Sequence, residues 1–429
     1  MNESLQFLAP ANPLRRAGYR YLMSFSLIVA MGGGFHFIGS YWILYRDTSS
    51  PSSVAWLIMA YWVPSLFVMP FAGVLVDRSN RRLILAAVCA YLAVLSGVMT
   101  VLMATGLFRV GYLYPYGVLT SLALGVFWNA LLAYLKDSLT TEELLHANSL
   151  NTALFQGGYL LGAGLAGVLF HWIGAVGCFA IDAASLSAGV IGWLTIQRWF
   201  PDKLHAPESN EARSFLGDYW EGLRHVRSDW LLFLFALFAI VPRISAQMLN
   251  VLVVGFSKDV LFAGSAGFGL LDMAYGVGAM GCGFCLPLFL RRFKLRATLP
   301  TFALIGAAIS CLAVSFSGEL ASAAAALACF GACAHTVGIL ANTALQREVS
   351  PDVIGRITST VQVCQYLMIP PIIWLLGEYA SMPSGRLIHA AVLRDGFVAT
   401  SVLLLMIAVL SLFTAYPFLR RSIEREDSP

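Results

Sequence analysis

The chain has 429 residues, of which 59% are hydrophobic and only 12% are charged. Soluble globular proteins are about 45–50% apolar and about 25% charged, so this composition excludes an ordinary water-soluble fold and indicates lipid as the solvent. The net charge of +4 is small, and the basic residues cluster at the ends of apolar runs. That distribution indicates an anionic membrane surface rather than nucleic acid as the partner of the basic residues.

Apolar segments of about 20 residues recur along the whole chain, which is the length that a helix needs to cross a bilayer. We predict twelve such helices, six on either side of one long polar stretch. Within that stretch, residues 215–230 repeat apolar side chains at helical spacing, which predicts an amphipathic helix on the membrane surface; an ordinary polar linker is the alternative. The predicted division is an N-terminal segment 1–20, a first bundle 21–197, a linker 198–229, a second bundle 230–419 and a tail 420–429.

Most of the 27 Lys and Arg residues lie in alternate segments between the predicted helices. Because positively charged loops stay in the cytoplasm, this pattern places both termini there and requires an even number of spans. The predicted fold class is therefore an all-α membrane protein with twelve transmembrane helices in two six-helix bundles. The eight cysteines all fall inside apolar segments, which favours packing over a disulfide framework.

A charged loop follows the second predicted helix, with Asp77, Arg78, Arg81 and Arg82 in close succession. The C-terminus of a helix carries negative partial charge, which the three arginines complement. Asp77 can cap the N-terminus of a neighbouring helix, and Gly73 just before it permits close helix approach in lipid. The loop is therefore expected to hold helix ends together on the cytoplasmic side.

This loop resembles the signature loop of the major facilitator superfamily, in which a glycine, an Asp-Arg pair and paired basic residues lie between helices 2 and 3. The resemblance implies the two-bundle fold of that family, and it implies that the loop latches the two halves together on the cytoplasmic side. Asp77 would then cap the start of helix 11. The residues expected to form this conformational latch are Gly73, Asp77, Arg78, Arg81, Arg82, Gly355 and Arg356.

Three further stretches, residues 147–150, 221–224 and 346–356, are similar to the branch that contains enterobactin-type siderophore exporters and macrolide-efflux proteins. This resemblance implies a monomeric, multi-pass protein of the bacterial inner membrane that exports a small organic molecule by alternating access. The implied energy source is the proton gradient, which makes the protein an antiporter. The glycine-rich run 162–167 departs from the branch, because it lacks the proline that such exporters often carry in helix 5.

Ionisable groups inside a membrane span cost roughly 2.5–3.5 kcal/mol on insertion scales and therefore indicate function. Arg243 in helix 7, Asp272 in helix 8 and His36 in helix 1 fall at similar predicted depths. We expect Arg243 to engage a carboxylate or other anionic group of the substrate, with Asp272 neutralising it when the site is empty. A fixed Arg243–Asp272 ion pair that joins helices 7 and 8 is the alternative.

His36 is expected to exchange protons, because an unperturbed imidazole has a pKa of about 6.5. Asp272 is the second residue expected to couple protons to transport. A hydrogen-bonded packing histidine is the alternative for His36. Asp182 lies near the middle of helix 6 and is expected to be structural.

Further polar residues at mid-membrane on three predicted helices are candidates for lining a watery cavity. Interhelical hydrogen bonding is the alternative for each of them. Gln247 and Asn250 share one helical face with Arg243. The expected substrate-binding residues are Arg243, Gln247, Asn250, Asn129, Tyr134, Gln362, Gln365 and Tyr366.

Arg243 favours an anionic substrate such as a siderophore. Drug or macrolide efflux is the alternative within the same class, and aromatic residues such as Trp56, Trp62 and Trp128 favour it. A lipid or lysolipid flippase is the alternative from a different class. The sequence contains no nucleotide-binding, hydrolase or zinc-protease motif, so we expect no enzyme activity, no cofactor and no metal site.

Overall fold

The structure is a computed structural model, and every regular element of its described residues is helical. Helices suit a bilayer because each one satisfies its own backbone hydrogen bonds. The described residues are 15–77, 79–200, 230–292, 299–348, 351–381 and 386–426. The helices are α1 (Ala17–Thr48), α2 (Pro51–Asp77), α3 (Arg81–Ala104), α4 (Leu113–Ser138), α5 and α6 together (Thr141–Thr195), α7 (Trp230–Gly255), α8 (Gly264–Arg292), α9 (Leu299–Phe316), α10 (Leu320–Glu348), α11 (Pro351–Ala380) and α12 (Arg386–Glu426).

Gly174 divides the stretch Thr141–Thr195 into two helices, α5 (141–173) and α6 (175–195). Its backbone has φ 60° and ψ −170°, a conformation that essentially only glycine adopts without strain. A break is needed, because 55 residues of continuous helix would be about 80 Å long, far more than a bilayer spans.

Two helices begin with side-chain caps that the sequence supplies. α3 starts after Asn80, whose side chain accepts a hydrogen bond from the Leu83 amide at 3.2 Å. α5 starts after Thr140, which forms a capping box with Glu143. The buried Glu143 carboxylate also pairs with Arg16 at 2.8 Å, so the residues just before α1 are tied to the start of α5.

Eight helical segments of the described residues are long and apolar enough to cross a membrane. Large apolar side chains project outward from the helices, and Phe71, Trp172 and Phe316 expose 74%, 72% and 75% of their surfaces. Such exposure is expected where lipid covers the protein. The count of twelve spans stays a prediction, and residues 215–229 of the predicted amphipathic helix lie outside the described residues.

Contacts divide the chain into two compact units. The first contains Met1–Ser40 and Ala60–Ser209, and the second contains Tyr41–Met59 and Asn210–Pro429. This grouping differs from the predicted division of the sequence in residues 41–59, which cover the end of α1 and the start of α2. Chain order assigns those residues to the first predicted bundle, whereas their contacts assign them to the second unit.

Polar contacts hold residues 41–59 within the second unit. The Tyr45 hydroxyl near the end of α1 donates to the Asp259 carboxylate at 2.6 Å. The Ser52 hydroxyl at the start of α2 donates to Glu378 Oε1 at 2.5 Å. Hydrogen bonds to charged acceptors are stronger than those between neutral groups, so these two contacts account in part for the grouping of the segment.

Candidate functional site

Two arginines of the charged loop contact other parts of the first unit. Arg81 forms an ion pair with Asp137 at the end of α4. Arg82 is buried, and its guanidinium donates to the carbonyl oxygens of Trp193 and Leu194 near the end of α6, both at 3.4 Å. Since the last carbonyls of a helix carry partial negative charge, Arg82 complements the C-terminal end of α6.

The remaining features of the expected latch are not described by the structure. They are Arg78, the side chains of Asp77 and Arg356, and the surroundings of Gly73 and Gly355. A latch between the two halves therefore stays a prediction.

His36 belongs to a polar cluster inside the first unit, which we call the histidine cluster (His36, Tyr61, Ser96, Tyr116 and Asp182). The imidazole Nε2 and the Tyr61 hydroxyl on α2 form a hydrogen bond of 2.6 Å. The other ring nitrogen, Nδ1, lies 3.7 Å from Asp182 Oδ2 on α6, which is ion-pair distance but too long for a hydrogen bond. The imidazole therefore lies between a phenol and a carboxylate.

Asp182 is the acidic member of the histidine cluster. Its side chain is 3% exposed, whereas the side chain of His36 is 15% exposed. The Ser96 hydroxyl on α3 donates to Asp182 Oδ2 at 2.5 Å, and the Tyr116 hydroxyl on α4 lies 2.8 Å from the same serine oxygen. The Tyr116 hydroxyl also hydrogen-bonds the Asp182 carboxyl group, so Ser96, Tyr116 and Asp182 form one hydrogen-bonded group. Each residue of the cluster thus has a polar partner within the cluster.

Close packing of α1 against α5 places His36 in this cluster. A Cβ atom at Gly34 would overlap the carbonyl oxygen of Tyr159 and the amide nitrogen of Ala163. Small residues let helix backbones approach closely in lipid, where no hydrophobic force holds helices together. Gly34 therefore sets the position of the segment of α1 that carries His36.

Arg243 on α7 is the centre of a second polar cluster, which lies within the second unit. The side chain is exposed. Its guanidinium lies within electrostatic range of Tyr275 on α8, His335 on α10 and Tyr366 on α11. We call these four residues together with Asp272 the arginine cluster, and four helices contribute to it.

Two buried polar atoms of the arginine cluster have no hydrogen-bond partner among the described residues. They are Asp272 Oδ2 and the Tyr275 hydroxyl, which stand three residues apart on α8. An expected hydrogen bond from Arg243 to Asp272 is therefore not made through Oδ2. A buried polar atom without a partner costs about 1–3 kcal/mol, and a bound molecule that supplies the partner recovers part of that cost.

Close approach of α8 and α10 brings Tyr275 and His335 together. A Cβ atom at Gly331 would overlap the carbonyl oxygen of Tyr275. The rings of Tyr275 and His335 meet edge to face, with centroids 5.8 Å apart. His335 Nδ1 lies 3.1 Å from the carbonyl oxygen of Gly331. Since a carbonyl oxygen only accepts, Nδ1 carries the proton, and Nε2 of the neutral ring is left as an acceptor.

The two expected substrate-binding residues on α4 make local contacts in the first unit. Tyr134 is buried in the core, edge to face with the ring of Trp193 at a centroid distance of 5.3 Å. Asn129 donates to the carbonyl oxygen of Gly125, one turn earlier in its own helix, at 2.8 Å. Tyr134 is therefore part of the core packing rather than of an accessible surface.

The expected substrate-binding residues on α7 and α11 lie in the second unit. Asn250 donates to Gln247 Oε1 at 3.2 Å, so these two amides are joined to each other. Gln365 is partly exposed, like its neighbour Tyr366, and the side chain of Gln362 lies outside the described residues. In the part of the chain that the structure describes, no group of three His, Cys, Asp or Glu side chains is placed to hold a metal ion.

Sequence reasoning missed the carboxylate beside His36. On the sequence alone, His36 groups with Arg243 and Asp272, because the three residues lie at similar predicted depths in the membrane. Asp182 is assigned a structural role. The hydroxyl groups that surround Asp182 come from ordinary residues of apolar helices and give no signal of their own. The sequence did show that His36 and Asp182 are both ionisable residues in the middle of apolar segments of the first predicted bundle.

Comparison with known proteins identifies the fold and one relative. The sequence profile of the Major Facilitator Superfamily matches residues 23–372. The multidrug efflux pump Tap of Mycolicibacterium fortuitum is 22% identical over 402 residues, which cover 90% of this chain and 93% of that protein.

Solved structures of several transporters have a similar fold. A bacterial homologue of the human lysosomal transporter Spinster superposes with a TM-score of 0.71 at 16% identity, over 94% of this chain and 98% of that one. A bacterial homologue of the iron transporter ferroportin gives 0.69 at 15% identity, over 93% and 99%. The nucleoside transporter NupG gives 0.64 at 14% identity, over 94% and 98%. At such low identities the likeness concerns the fold alone.

Proposed function

We propose that this chain, which belongs to the Major Facilitator Superfamily, exports a small organic molecule with an anionic group in exchange for protons. Membership of that family makes the chain a multi-pass membrane transporter and not an enzyme. Transporters with two repeated halves work by alternating access, in which one half rocks against the other around the substrate site. Monomeric export across a bacterial inner membrane, with twelve spans and cytoplasmic termini, is part of the proposal.

The observation that carries the proposal is the placement of Arg243. An arginine within an apolar helix is expensive, and this one is exposed in the second unit with Tyr275, His335 and Tyr366 within electrostatic range. A guanidinium presents its donors in a planar fork that matches a carboxylate or phosphate. The proposed substrate therefore places an anionic group at Arg243, and a siderophore is the favoured class.

The partner-free atoms on α8 support the same location. Asp272 Oδ2 and the Tyr275 hydroxyl are buried without hydrogen-bond partners among the described residues. A substrate that donates a hydrogen bond to the carboxylate and accepts one from the phenol would satisfy both atoms. Catechol, hydroxamate and hydroxycarboxylate groups combine donors and acceptors in this way.

Outward transport and proton coupling are proposed on different grounds. The relative named as a multidrug efflux pump spans nearly the whole chain and supports export, although it is only 22% identical. The proposed coupling ion is the proton, with His36 and Asp272 as the groups that sequence offers for it.

Drug efflux is the second candidate function, and one feature of the first unit favours it. Trp128 on α4 is 45% exposed and packs against Phe155 with ring centroids 5.1 Å apart. An accessible aromatic pair binds planar apolar molecules through stacking and burial. The substrate in this case would be a macrolide or a cationic dye.

A thermal-shift screen of the purified protein in detergent separates the two candidates. The panel contains a carboxylate siderophore, a catecholate siderophore, a macrolide and a cationic dye. A ligand that binds only the folded state stabilises it by about 2.7 kcal/mol at a hundredfold excess over Kd. We expect one of the siderophores to raise the unfolding temperature of the wild type.

Arg243→Gln and Arg109→Gln are the paired variants for the screen. Loss of a hydrogen bond to a charged group costs about 1.5–3 kcal/mol, which weakens binding roughly 10- to 150-fold. We expect that loss for Arg243→Gln and none for Arg109→Gln, since Arg109 is exposed in the connection between α3 and α4. Stabilisation by the macrolide or the dye alone, unchanged in Arg243→Gln, would select drug efflux instead. Movement of labelled lipid in proteoliposomes would select a flippase.

A further inference from the structure

We infer that Asp182 and His36 form the proton-exchange site of this transporter, and that Asp272 serves substrate binding instead. The inference rests on the proposed proton-coupled export and assigns the proton to a carboxylate that the sequence marks as structural. The histidine cluster, whose contacts support this assignment, lies entirely within the first unit.

The surroundings of Asp182 contain no fixed positive charge among the described residues. Its carboxylate faces Ser96 on α3, Tyr116 on α4 and His36 on α1, and Tyr61 on α2 lies beyond the imidazole. The charged and titratable groups around Asp182 are therefore one imidazole and two phenols. A bare carboxylate in a dry interior is costly unless it is paired or neutralised. Without an Arg or Lys, a proton is the means by which the cluster reaches neutrality.

A single proton suffices for the Asp182–His36 pair, and it has two possible positions. It resides either on Asp182, beside a neutral imidazole, or on His36 Nδ1, beside a carboxylate. The transfer breaks the Nδ1–H bond, forms the O–H bond at Asp182 Oδ2 and leaves a neutral ring. The two atoms are 3.7 Å apart, so they must approach to hydrogen-bond distance for the transfer.

His36 is the member of the pair through which the proton enters and leaves. Its side chain is 15% exposed, whereas that of Asp182 is 3% exposed. The Ser96 hydroxyl donates to Asp182 at 2.5 Å and holds the carboxylate still while the imidazole moves. Ser96 and Tyr116 are thus positioning residues, because they act on Asp182 and not on the entering proton.

The Asp182–His36 pair lies where a change of protonation can alter the contact between α1 and α2. His36 lies one helical turn before Ser40, where the first unit ends on α1, and Tyr61 directly follows Ala60, where that unit resumes on α2. The His36–Tyr61 hydrogen bond joins the two helices at this point. Protonation of the ring changes the donors and acceptors that it offers to Tyr61 and Asp182, so it changes how α1 is held to α2.

Infrared difference spectroscopy on the purified protein in lipid tests the site without any substrate. Spectra at mildly acidic and mildly alkaline pH are subtracted, and the carbonyl stretch of a protonated buried carboxyl is followed. We expect the wild type to show such a band, Asp182→Asn to lose it and Asp272→Asn to retain it. His36→Gln should keep the band and move its pH midpoint, which a merely structural histidine would not do.

Asp182→Glu covers the case in which Asp182→Asn does not fold. It keeps a carboxyl at the site, so the band should persist at a changed frequency. A band that is identical in wild type and Asp182→Asn, a band lost in Asp272→Asn alone, or no titrating band at all would overturn the inference. The proposed function fails separately, if no panel ligand binds in an Arg243-dependent way while the Asp182 band is present.

Discussion

The histidine cluster of the first unit and the arginine cluster of the second contain the same kinds of group, yet they differ in hydrogen bonding. Each has an aspartate, a histidine and two tyrosines within apolar helices. In the histidine cluster, Ser96 donates to Asp182 and Tyr116 pairs with Ser96. In the arginine cluster, Asp272 Oδ2 and the Tyr275 hydroxyl have no partners among the described residues.

The difference indicates what each cluster lacks. Most buried polar groups in native proteins are hydrogen-bonded, so exceptions need an explanation. The histidine cluster is complete apart from one proton, which suits an ion-exchange site. The arginine cluster has an exposed guanidinium beside unpartnered acceptor and donor atoms, which suits a site that a larger polar molecule completes.

Ser96→Ala should produce the largest loss of stability among the predictions for the histidine cluster. It removes a hydrogen bond to a charged acceptor, worth about 1.5–3 kcal/mol, and it also removes the hydrogen bond between Ser96 and the Tyr116 hydroxyl. The thermal unfolding midpoint in detergent measures the effect. Ser187→Ala is the control, because the exposed Ser187 hydroxyl bonds only to Ala183 in its own helix; equal losses in the two variants would contradict the assignment.

Gly34→Ala should destabilise the first unit by an amount close to that of Ser96→Ala. The new methyl group would overlap the backbone of α5 at Tyr159 and Ala163, and overpacking typically costs about 1–3 kcal/mol. Gly97→Ala in α3 is the matched control. A Cβ there meets nothing, and alanine in place of a mid-helix glycine stabilises by roughly 0.5–1 kcal/mol.

The Gly34 comparison also bears on proton exchange. Displacement of α1 from α5 should move His36 away from Asp182 and shift the midpoint of the infrared band of Asp182. If Gly34→Ala unfolds at the same temperature as Gly97→Ala, the close approach of α1 to α5 is not what positions the histidine cluster.

Tyr116→Phe and Tyr275→Phe should show the smallest difference in stability of the pairs of variants compared here. Tyr116 loses a buried hydrogen bond with Ser96, and such bonds in membrane proteins average about 0.6 kcal/mol and reach about 1.7 kcal/mol. Tyr275 loses a hydroxyl for which the described residues supply no hydrogen-bond partner, so its removal should be neutral or slightly stabilising. Thermal unfolding of the two variants side by side decides the matter, and a greater loss in Tyr275→Phe would break the comparison.

Much of the fold was predictable from the sequence, because a bilayer restricts the choices. The composition and the lengths of the apolar segments led to an all-helical membrane protein, and the loop after helix 2 led to the family that the profile match confirms. Chain order alone did not reveal that residues 41–59 group with the second unit. Tyr45 and Ser52 reach Asp259 and Glu378 across a large separation in sequence, which helical periodicity does not encode.

The candidate sites were predictable only in part. The cost of an ionisable group in lipid singled out His36, Arg243 and Asp272 from the sequence, and their roles stay predictions. Depth along a helix does not say which neighbour a side chain faces, so the contact of His36 with Asp182 was not foreseen. The burial of Tyr134 against Trp193 was not foreseen either, because the polar tip of a tyrosine does not reveal whether its ring is buried; its role in substrate binding stays a prediction.

The most direct test of the account compares the thermal unfolding of Asp182→Asn and Asp272→Asn at mildly alkaline pH, without ligand. Asp182 accepts a hydrogen bond from Ser96 and faces His36; an asparagine keeps only a neutral hydrogen bond with Ser96 and removes the acidic partner of the imidazole, so the replacement should lower the unfolding temperature, with a cost of about 1 kcal/mol. Asp272 Oδ2 has no hydrogen-bond partner in the described part of the chain, and a neutral amide is cheaper to bury than a carboxylate, so its replacement should raise that temperature. Opposite signs would support one completed cluster and one that awaits a substrate; shifts of the same sign would contradict this account.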